Sequence, residues 1–206
     1  MSDPDRKLSR RERYAQETRR AIIDAARGLF AERGYFAAKV DEIAAQADVA
    51  PATVYAVAGG KPGLIAELIR QWAADPRIAE TMSAVASAED PREIIRILAT
   101  AQRAMREDWA DVIWILLTTA PHDETVAEHF RSHTEFYRSS VAAIARRIEE
   151  IDGLRKGIDG ELAADVLWFY FGYGPYIVLH DQRDWTYDSA EQWLVEQASH
   201  AVLSAP

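Results

Sequence analysis

Apolar residues recur along most of the chain at the three-to-four-residue spacing of an amphipathic α-helix. Ile22, Leu29 and Phe30 mark the inward face of a first helix over residues 12–33, and Gly34 follows it as a stop. Alternating β-branched runs on either side of a hairpin turn, which would indicate antiparallel strands, do not occur in the sequence. The pattern therefore predicts an all-α protein.

Three short helices are predicted directly after the first one. The spacing of apolar residues predicts a helix at about 40–47, and Pro51 opens the next, where a missing N–H costs nothing at the first helical position. That helix ends near Ala58, and Pro62 opens a fourth that runs to about Ala74. A long helix followed by two short ones with a three-residue connection predicts a helix-turn-helix.

The rest of the chain also has helical spacing. Further helices are predicted at 91–106, 109–119, 124–151, 162–180 and 189–203, with loops near 75–90, 120–123, 152–160 and 181–188. We expect a kink within 162–180 at Gly172, Gly174 and Pro175, because Pro175 cannot donate to the carbonyl of Phe171.

Composition narrows the class of protein. Hydrophobic residues make up 49% of the chain, which is enough for a sizeable core. The absence of cysteine excludes disulfides and thiolate metal sites and favours a reducing cytosol. The first twenty residues lack an apolar signal-peptide segment, and no run of eighteen apolar residues indicates a membrane span. We therefore expect a cytoplasmic protein with no membrane partner.

The distribution of charge matters more than the net charge of −9. Residues 1–20 carry seven basic and four acidic side chains, whereas residues 62–206 carry thirteen basic and twenty-four acidic ones. A basic N-terminal segment on an acidic chain indicates an arm that contacts nucleic acid. The alternative is a charged, solvated helix surface.

The second helix of a helix-turn-helix lies in the major groove of DNA, with its N-terminal residues toward the bases. Its buried side must be apolar so that the opposite side can contact DNA. Val49 and Val54 are predicted to pack inward. The residues left for the outer face are Ala52, Thr53, Ala56 and Val57.

These residues resemble the TetR/AcrR family of transcriptional regulators. The resemblance covers about residues 15–65, under a third of the chain, and its matching stretches are 22–30, 34–35, 40–44, 49–55 and 60–64. It implies a homodimer that binds a double-stranded DNA operator and a small molecule, as a repressor released by that ligand, with activation left open. It also implies a three-helix N-terminal DNA-binding domain (1–61) before a larger helical-bundle ligand-binding and dimerisation domain (62–206).

The resemblance assigns DNA contacts by position. Tyr55 matches a phosphate-binding tyrosine, Thr53 a residue that contacts phosphate or base, and Lys61 a phosphate clamp at a helix N-terminus. The alternatives are a packing tyrosine and a solvated lysine. The remaining predicted contacts are the arm residues Arg10, Arg11 and Arg13, the backbone contacts Lys39 and Val40, and the base-facing Pro51, Ala52 and Ala56.

Several positions depart from the family pattern, including Ala38-Lys39, which stand where Thr is common before the second helix. Ala50 stands where Ser or Thr usually caps the third helix, at a cost of about 1 kcal/mol. Ala56 replaces an expected aromatic residue, and Val57-Ala58 replaces a His-Phe pair. The outer face therefore has few hydrogen-bond donors. This keeps open a helical small-molecule-binding or interaction module with weak or lost DNA binding.

Aromatic residues cluster in the C-terminal part, with thirteen of the twenty between Trp109 and Tyr187. A helix that is apolar on all sides must be buried on more than one side, so a pocket and a dimer partner are both expected. The alternative is an ordinary core. The candidate residues for a hydrophobic or aromatic ligand are Arg103, Trp114, His133, Phe136, Tyr137, Trp168, Tyr173 and Tyr176.

The resemblance further implies that the last two helices of each subunit form a four-helix dimer bundle. The suggested seam residues are Trp193, Leu194, Ala198, Ala201 and Val202.

Catalytic and metal-binding patterns are weak. His129 and His133 lie one turn apart, but without a Glu-x-x-His motif they are better explained as surface or core histidines than as ligands. A phosphate-binding loop, a nucleophile elbow and a triad-like arrangement are missing from the sequence. We therefore expect no cofactor and no enzyme; a helical enzyme acting on a hydrophobic substrate is the rival hypothesis.

Overall fold

The computed structural model describes residues 9–204, and this part of the chain folds into α-helices. Its one β-type pairing is an isolated bridge between Leu154 and Leu203. The helices are α1 (Arg10–Arg33), α2 (Val40–Gln46), α3 (Pro51–Ala58), α4 (Lys61–Ala73), α5 (Pro76–Ser87), α6 (Pro91–Thr119), α7 (Glu124–Glu150), α8 (Gly160–Phe171), α9 (Gly174–Tyr176) and α10 (Tyr187–Val202). The predicted all-α class is confirmed.

A loop and a helix break predicted in the middle of the chain were wrong. The loop expected at 75–90 contains α5, because the Asp75 side chain accepts the Arg77 N–H at 3.0 Å and caps a helix that starts with a proline. The helices expected at 91–106 and 109–119 form the single helix α6. Glu107 near the expected break pairs with Arg103 one turn earlier, at 3.0 Å, which favours a continuous helix.

The expected kink lies where the glycines and proline predicted it. Helix α8 ends at Phe171, where the Gly172 N–H donates to the Trp168 carbonyl, and α9 begins three residues later, at Gly174, with Pro175 in its first turn. The helix then widens into a π-helical segment, Ile177–Gln182.

The segment Gly160–Gln182 has the length and apolar composition of a membrane span, with a mean hydropathy of 1.3. This differs from the expectation that no such run exists. Length and composition alone are weak evidence, and the helix is broken at Gly172–Pro175. Within the subunit, 22% of the apolar window is buried, and Trp168, Tyr170 and Leu179 are partly buried against the core of the second compact unit.

The described chain divides into two compact units. The first holds the residues up to Gln71 together with Trp114–Phe130, and its buried side chains include Ile22, Phe30 and Val54. The second unit holds Trp72–Ile113 and the chain from Arg131 onward. Its core is built from α5, α6, α7, α8 and α10. The functional division between 1–61 and 62–206 stays a prediction.

Candidate nucleic-acid interface and ligand cavity

Helices α2 and α3 are held together by a short, well-defined turn. The Lys39 N–H donates to the Glu42 carboxylate at 3.0 Å and so caps α2. Asp48 adopts a left-handed backbone conformation (φ 53°), which Asp tolerates better than most residues. This lets the Val49 N–H return to the Ala44 carbonyl at 3.0 Å. The result is the helix-turn-helix arrangement predicted from the spacing, in which α2 supports α3.

Helix α3 is anchored by its apolar side. Val54 is fully buried and Val49 is half-buried, on the inward side as predicted. Ala50 provides no side-chain cap, so Pro51 at the first helical position begins the helix unaided. At the other end Gly59, in the left-handed region at φ 72°, donates its N–H to the Tyr55 carbonyl at 2.8 Å and ends the helix.

The side chains on the outward side of α3 are mostly small, and none of them is charged. Pro51, Ala52 and Ala56 are exposed, Thr53 is half-buried, and the Tyr55 ring is 55% exposed. The hydroxyl groups of Thr53 and Tyr55 are the side-chain hydrogen-bonding groups of α3. Tyr55 therefore stands out from the helix as the largest group that a docked molecule would meet.

The predicted arm residues Arg10, Arg11 and Arg13 lie exposed in the first turn of α1. Positive side chains at a helix N-terminus oppose the helix dipole. A capping box offsets this cost, since the Ser9 N–H donates to Glu12 at 2.8 Å and the Glu12 N–H to Ser9 at 3.2 Å. The basic turn is therefore ordered and open to solvent. At the start of α2, Lys39 is exposed and Val40 is half-buried.

The Lys61 ammonium is directed toward backbone carbonyls of its own chain rather than toward solvent. It donates to the carbonyls of Tyr35 at 2.6 Å, Ala38 at 3.0 Å and Phe36 at 3.4 Å, and lies 4.5 Å from the centre of the Tyr35 ring. Burial lowers the pKa of Lys61. The lysine thus fastens the start of α4 to the connection between α1 and α2, and its contact with phosphate stays a prediction.

Tyr35 belongs to one of the matching stretches of the sequence, but no role was predicted for it. Its ring is buried against Phe30, with the ring centres 5.3 Å apart, and its hydroxyl donates to Asp123 at 3.2 Å. Burial and the neighbouring carboxylate raise the pKa of Tyr35. Asp123 also accepts the Val126 N–H at 3.1 Å and so caps α7. Tyr35 therefore links the α1–α2 connection to the start of α7.

Helix α4 is tied to α1 by a buried carboxylate. Glu67 is 7% exposed and accepts from Arg19 at 2.7 Å and from Arg70. Burial alone would raise the pKa of Glu67, but the hydrogen bonds from the two arginines outweigh it and hold this pKa below its usual value. The carboxylate stays charged and orients α4 behind the helix-turn-helix.

The second compact unit contains an apolar cavity of about 60 Å³. Three of the predicted ligand residues line it: His133, Phe136 and Tyr137. The others lining it come mostly from the end of α4, from α5 and from α6, including Trp72, Met82, Leu98, Gln102 and Met105. These residues were not predicted, because a loop was expected in place of α5 and because helical spacing does not distinguish a cavity wall from a core.

His133 is the histidine of this cavity. It is 6% exposed, its ring centre lies 4.1 Å from that of Trp72, and its Nδ1 has no hydrogen-bond partner. Burial lowers the pKa of His133 from 6.5 to about 4. The imidazole is therefore neutral at neutral pH.

A smaller cavity of about 20 Å³ is lined by two further predicted residues, Tyr173 and Tyr176, together with Arg106. Tyr173 packs against Trp72, with the ring centres 5.9 Å apart. Trp168 packs against Tyr173 and Tyr137 but lines a surface groove rather than either cavity.

Two predicted ligand residues lie elsewhere. Arg103 lines neither cavity, because its guanidinium pairs with Glu107, Asp188 and Glu191. Trp114 is 55% exposed and belongs to the first compact unit.

An apolar groove of about 680 Å³ runs along the surface between the segment from α8 to the π-helix and α10. Phe169 is 72% exposed, and Trp193, a predicted seam residue, is 39% exposed there. Leu194, Ala198 and Val202 are buried in the subunit's own core instead, because their face of α10 packs against α8, and Ala201 is half-buried.

Residues 9–204 contain no cluster of three or more His, Asp or Glu side chains arranged to hold a metal ion. His129 is half-buried and His133 faces the cavity.

Comparisons with known proteins agree with this geometry. Residues 22–68 match the sequence profile of the bacterial regulatory proteins of the tetR family. The HTH-type transcriptional regulator YdeS of Bacillus subtilis is 29% identical over 162 residues, covering 77% of this chain and 75% of YdeS.

Solved structures share the fold. NalD, the secondary repressor of the MexAB-OprM multidrug efflux pump in Pseudomonas aeruginosa, is 22% identical with a TM-score of 0.75, over 93% of this chain and all of NalD. The regulator FadR from Bacillus subtilis, solved with stearoyl-CoA, is 17% identical with a TM-score of 0.73, over 87% of this chain and 97% of FadR.

Proposed function

We propose that this chain is a DNA-binding transcriptional regulator of the TetR type, supported by the match of residues 22–68 and the similarity to YdeS. It represses transcription at a DNA operator and leaves the operator when a small molecule binds in its larger helical region. The observation that carries the proposal is the pair α2–α3, which has a buried inner side and an exposed face headed by Tyr55. A helix presented in this way fits the major groove of DNA.

Phosphate contacts supply most of the affinity in this proposal. The exposed arginines Arg10, Arg11 and Arg13, with Lys39 at the start of α2, form the basic part of an otherwise acidic chain. Bases are contacted by Thr53 and by the methyl groups of Ala52 and Ala56, which suit thymine. The affinity should fall steeply with salt, because each neutralised phosphate releases counterions.

The ligand is proposed to bind in the cavity lined by His133, Phe136 and Tyr137. NalD and FadR share the fold, and FadR forms a complex with stearoyl-CoA. Helices α6 and α7 each contribute residues to both compact units. A ligand that displaces either helix therefore acts on the α6–α7 connection, where Asp123 bonds Tyr35. Release requires the ligand to favour the conformation with lower DNA affinity.

We further propose a cytoplasmic homodimer. Two copies joined through the apolar groove between α8 and α10 bury Phe169 and Trp193, which are exposed in the single subunit. A symmetric pair presents two α3 helices to successive major grooves, about 34–36 Å apart. The operator is then close to palindromic.

A gel-shift experiment on the DNA upstream of the chain's own gene tests the proposal. We expect specific binding, and a clear weakening on Tyr55→Phe, which removes only one exposed hydroxyl. The matched control is Tyr14→Phe on α1, where the tyrosine is 73% exposed but lies outside the helix-turn-helix. Absence of any specific shift, there and in a selection from random DNA, would rule out the regulator function.

One observation favours a second candidate function. Helix α3 carries no charged side chain, and the Lys61 ammonium is engaged by backbone carbonyls. An interaction or small-molecule-binding module that has lost DNA affinity would have this surface. Failure of the selection from random DNA, together with ligand binding by the same preparation, would favour this alternative.

A further inference from the structure

Buried polar atoms without partners collect around the two cavities of the second compact unit. Within residues 9–204, five buried side-chain nitrogen or oxygen atoms lack a hydrogen-bond partner, and four of them belong to Arg106, His133 and Tyr176. Such atoms are uncommon in folded proteins, because each has lost its bonds to water without replacement. Their concentration in one place therefore requires an explanation.

The two cavities are neighbours. Trp72, Gln102 and Met105 line both of them. His133 lines the larger cavity, whereas Arg106 and Tyr176 line the smaller one. The two cavities thus share a wall; we call the pair the chamber, and the smaller cavity, lined by Arg106 and Tyr176, is its polar end.

Arg106 determines which chemical group the polar end of the chamber can bind. The side chain is 5% exposed, and one terminal nitrogen pairs with Asp181 on the π-helical segment. Tyr187 also lies beside the guanidinium. Its Nε and Nη1 remain without a partner. A guanidinium only donates hydrogen bonds, so the group that completes it must be an oxygen acceptor.

The Tyr176 hydroxyl also lacks a hydrogen-bond partner. The residue is 3% exposed, its ring packs against Tyr187 with the ring centres 5.8 Å apart, and its oxygen has no partner. A hydroxyl donates to the same kind of acceptor that Arg106 requires. Two donors from different helices thus line one small space.

We propose that the ligand is a compact, mainly apolar molecule bearing a carboxylate or carbonyl oxygen, with its body in the larger cavity and that oxygen accepting from Arg106 and Tyr176. This inference rests on the proposed ligand site of the regulator. The larger cavity suits an uncharged body, since its lining has no Asp, Glu, Lys or Arg and His133 is neutral at neutral pH.

The size of the chamber favours a compact body over a long chain. The cavities measure about 60 and about 20 Å³, well below the roughly 300–1,000 Å³ of pockets for drug-sized ligands. Met82 and Met105 line the larger cavity, and methionine side chains repack easily. A modest ligand can therefore be admitted by their movement.

Calorimetric titration of the purified full chain tests the inference with three probes of one shape. These are 4-phenylbutanoate, its methyl ester and 4-phenylbutylammonium. We expect the two oxygen-bearing probes to bind at least about tenfold more tightly than the ammonium, which would meet the positive guanidinium. Equal affinity for the ammonium, or no binding of either oxygen-bearing probe at millimolar concentration, would overturn the inference.

Variants locate the polar contact. Tyr176→Phe removes one unpartnered hydroxyl and keeps the ring, so the fold should be retained while affinity falls about threefold. Arg106→Met should weaken the oxygen-bearing probes at least about tenfold. The matched control is Arg96→Met, an exposed arginine on the same helix α6, which should bind as the parent does. Unchanged affinity in Tyr176→Phe and Arg106→Met would mean that water serves these groups, and the inference would fail.

A parallel gel shift separates this inference from the proposed function. Specific DNA binding without discrimination between the probes would overturn the ligand class alone. Probe binding that depends on Arg106, by a protein with no DNA affinity, would support the ligand class and contradict the regulator.

Discussion

At the scale of single residues, the Lys61 side chain joins the start of α4 to the connection between α1 and α2. Lys61 was predicted from its position in a motif to bind phosphate, and the alternative was a solvated side chain. In the structure its ammonium instead satisfies backbone carbonyls of Tyr35, Phe36 and Ala38. Those carbonyls belong to a connection twenty-odd residues earlier, so only the folded chain brings them to the lysine.

We expect Lys61→Met to lower the free energy of unfolding by about 1–3 kcal/mol, because it leaves part-buried carbonyls without a donor. Urea unfolding followed by circular dichroism measures this change. Lys156→Met, at an exposed lysine, is the control and should lie within about 0.5 kcal/mol of the parent. Equal stability of the two variants would show that the three carbonyl contacts contribute little.

His133 makes the stability of the protein depend on pH. Burial lowers its folded-state pKa to about 4, below the 6.5 of the unfolded chain. The unfolded state therefore binds the proton first as the pH falls. The stabilising effect of a neutral His133 is fully present above pH 6.5 and is lost between 6.5 and 4.

The free energy of unfolding should drop by about 2 kcal/mol between pH 7.5 and pH 5 through this residue. Carboxylates titrate in the same range, so the measurement compares urea midpoints of the parent and His133→Phe at both pH values. The variant should lose less stability on acidification. His200→Phe, at an exposed histidine, should behave as the parent does; a parent-like slope in His133→Phe would contradict the assignment.

At the scale of elements, the junction of α3 and α4 depends on a close backbone approach. A Cβ added to Gly63 would lie 1.7 Å from the carbonyl oxygen of Ala58, at the last residue of α3. Glycine is therefore required at the start of α4 for steric reasons, whatever its role in the family motif. The position of α3 and the start of α4 are linked through this contact.

Gly63→Ala should force α3 and α4 apart and destabilise the chain by about 2 kcal/mol or more. Gly28→Ala is the matched control in α1, where the added Cβ would make an ordinary 3.7 Å contact with Gln46. That change should leave stability unaltered or raise it by up to about 1 kcal/mol. Thermal melts compare the stabilities of the two variants, and equal melting temperatures would argue against the steric contact.

Most elements were predictable because they begin and end with residues of defined backbone preference. Pro51 starts α3 and Gly59 ends it, and Gly172 to Pro175 break the long apolar helix, all as expected. Helix α5 was missed because it begins at Asp75 and Pro76, two residue types that are common in loops, although here they cap and open a helix. Helix α6 was divided in error at residues 107–108, between the spans predicted at 91–106 and 109–119.

At the scale of the whole molecule, the apolar groove between α8 and α10 is exposed in the single subunit. Phe169, Val178 and Trp193 are 72%, 49% and 39% exposed. Large apolar side chains grouped on a surface usually mark an interface. A second copy of the chain is the partner we propose for it.

Phe169→Glu should convert the proposed dimer to monomers, because the charge would be buried without a partner. Sedimentation equilibrium measures the mass directly. Tyr14→Glu places the same charge at a 73% exposed position on α1 and should remain dimeric. A monomeric parent protein, or a dimeric Phe169→Glu, would exclude this face as the dimer interface.

The all-helical class and the helix-turn-helix could be predicted from the amino-acid sequence, because they follow from local spacing, end residues and a contiguous motif. The tertiary structure alone decided which residues enclose the cavities, that Lys61 is turned inward, and that Leu194, Ala198 and Val202 belong to the subunit's own core. An apolar helical stripe is the same in sequence whether it faces a core, a cavity or a partner. Only packing between residues distant in the chain distinguishes them.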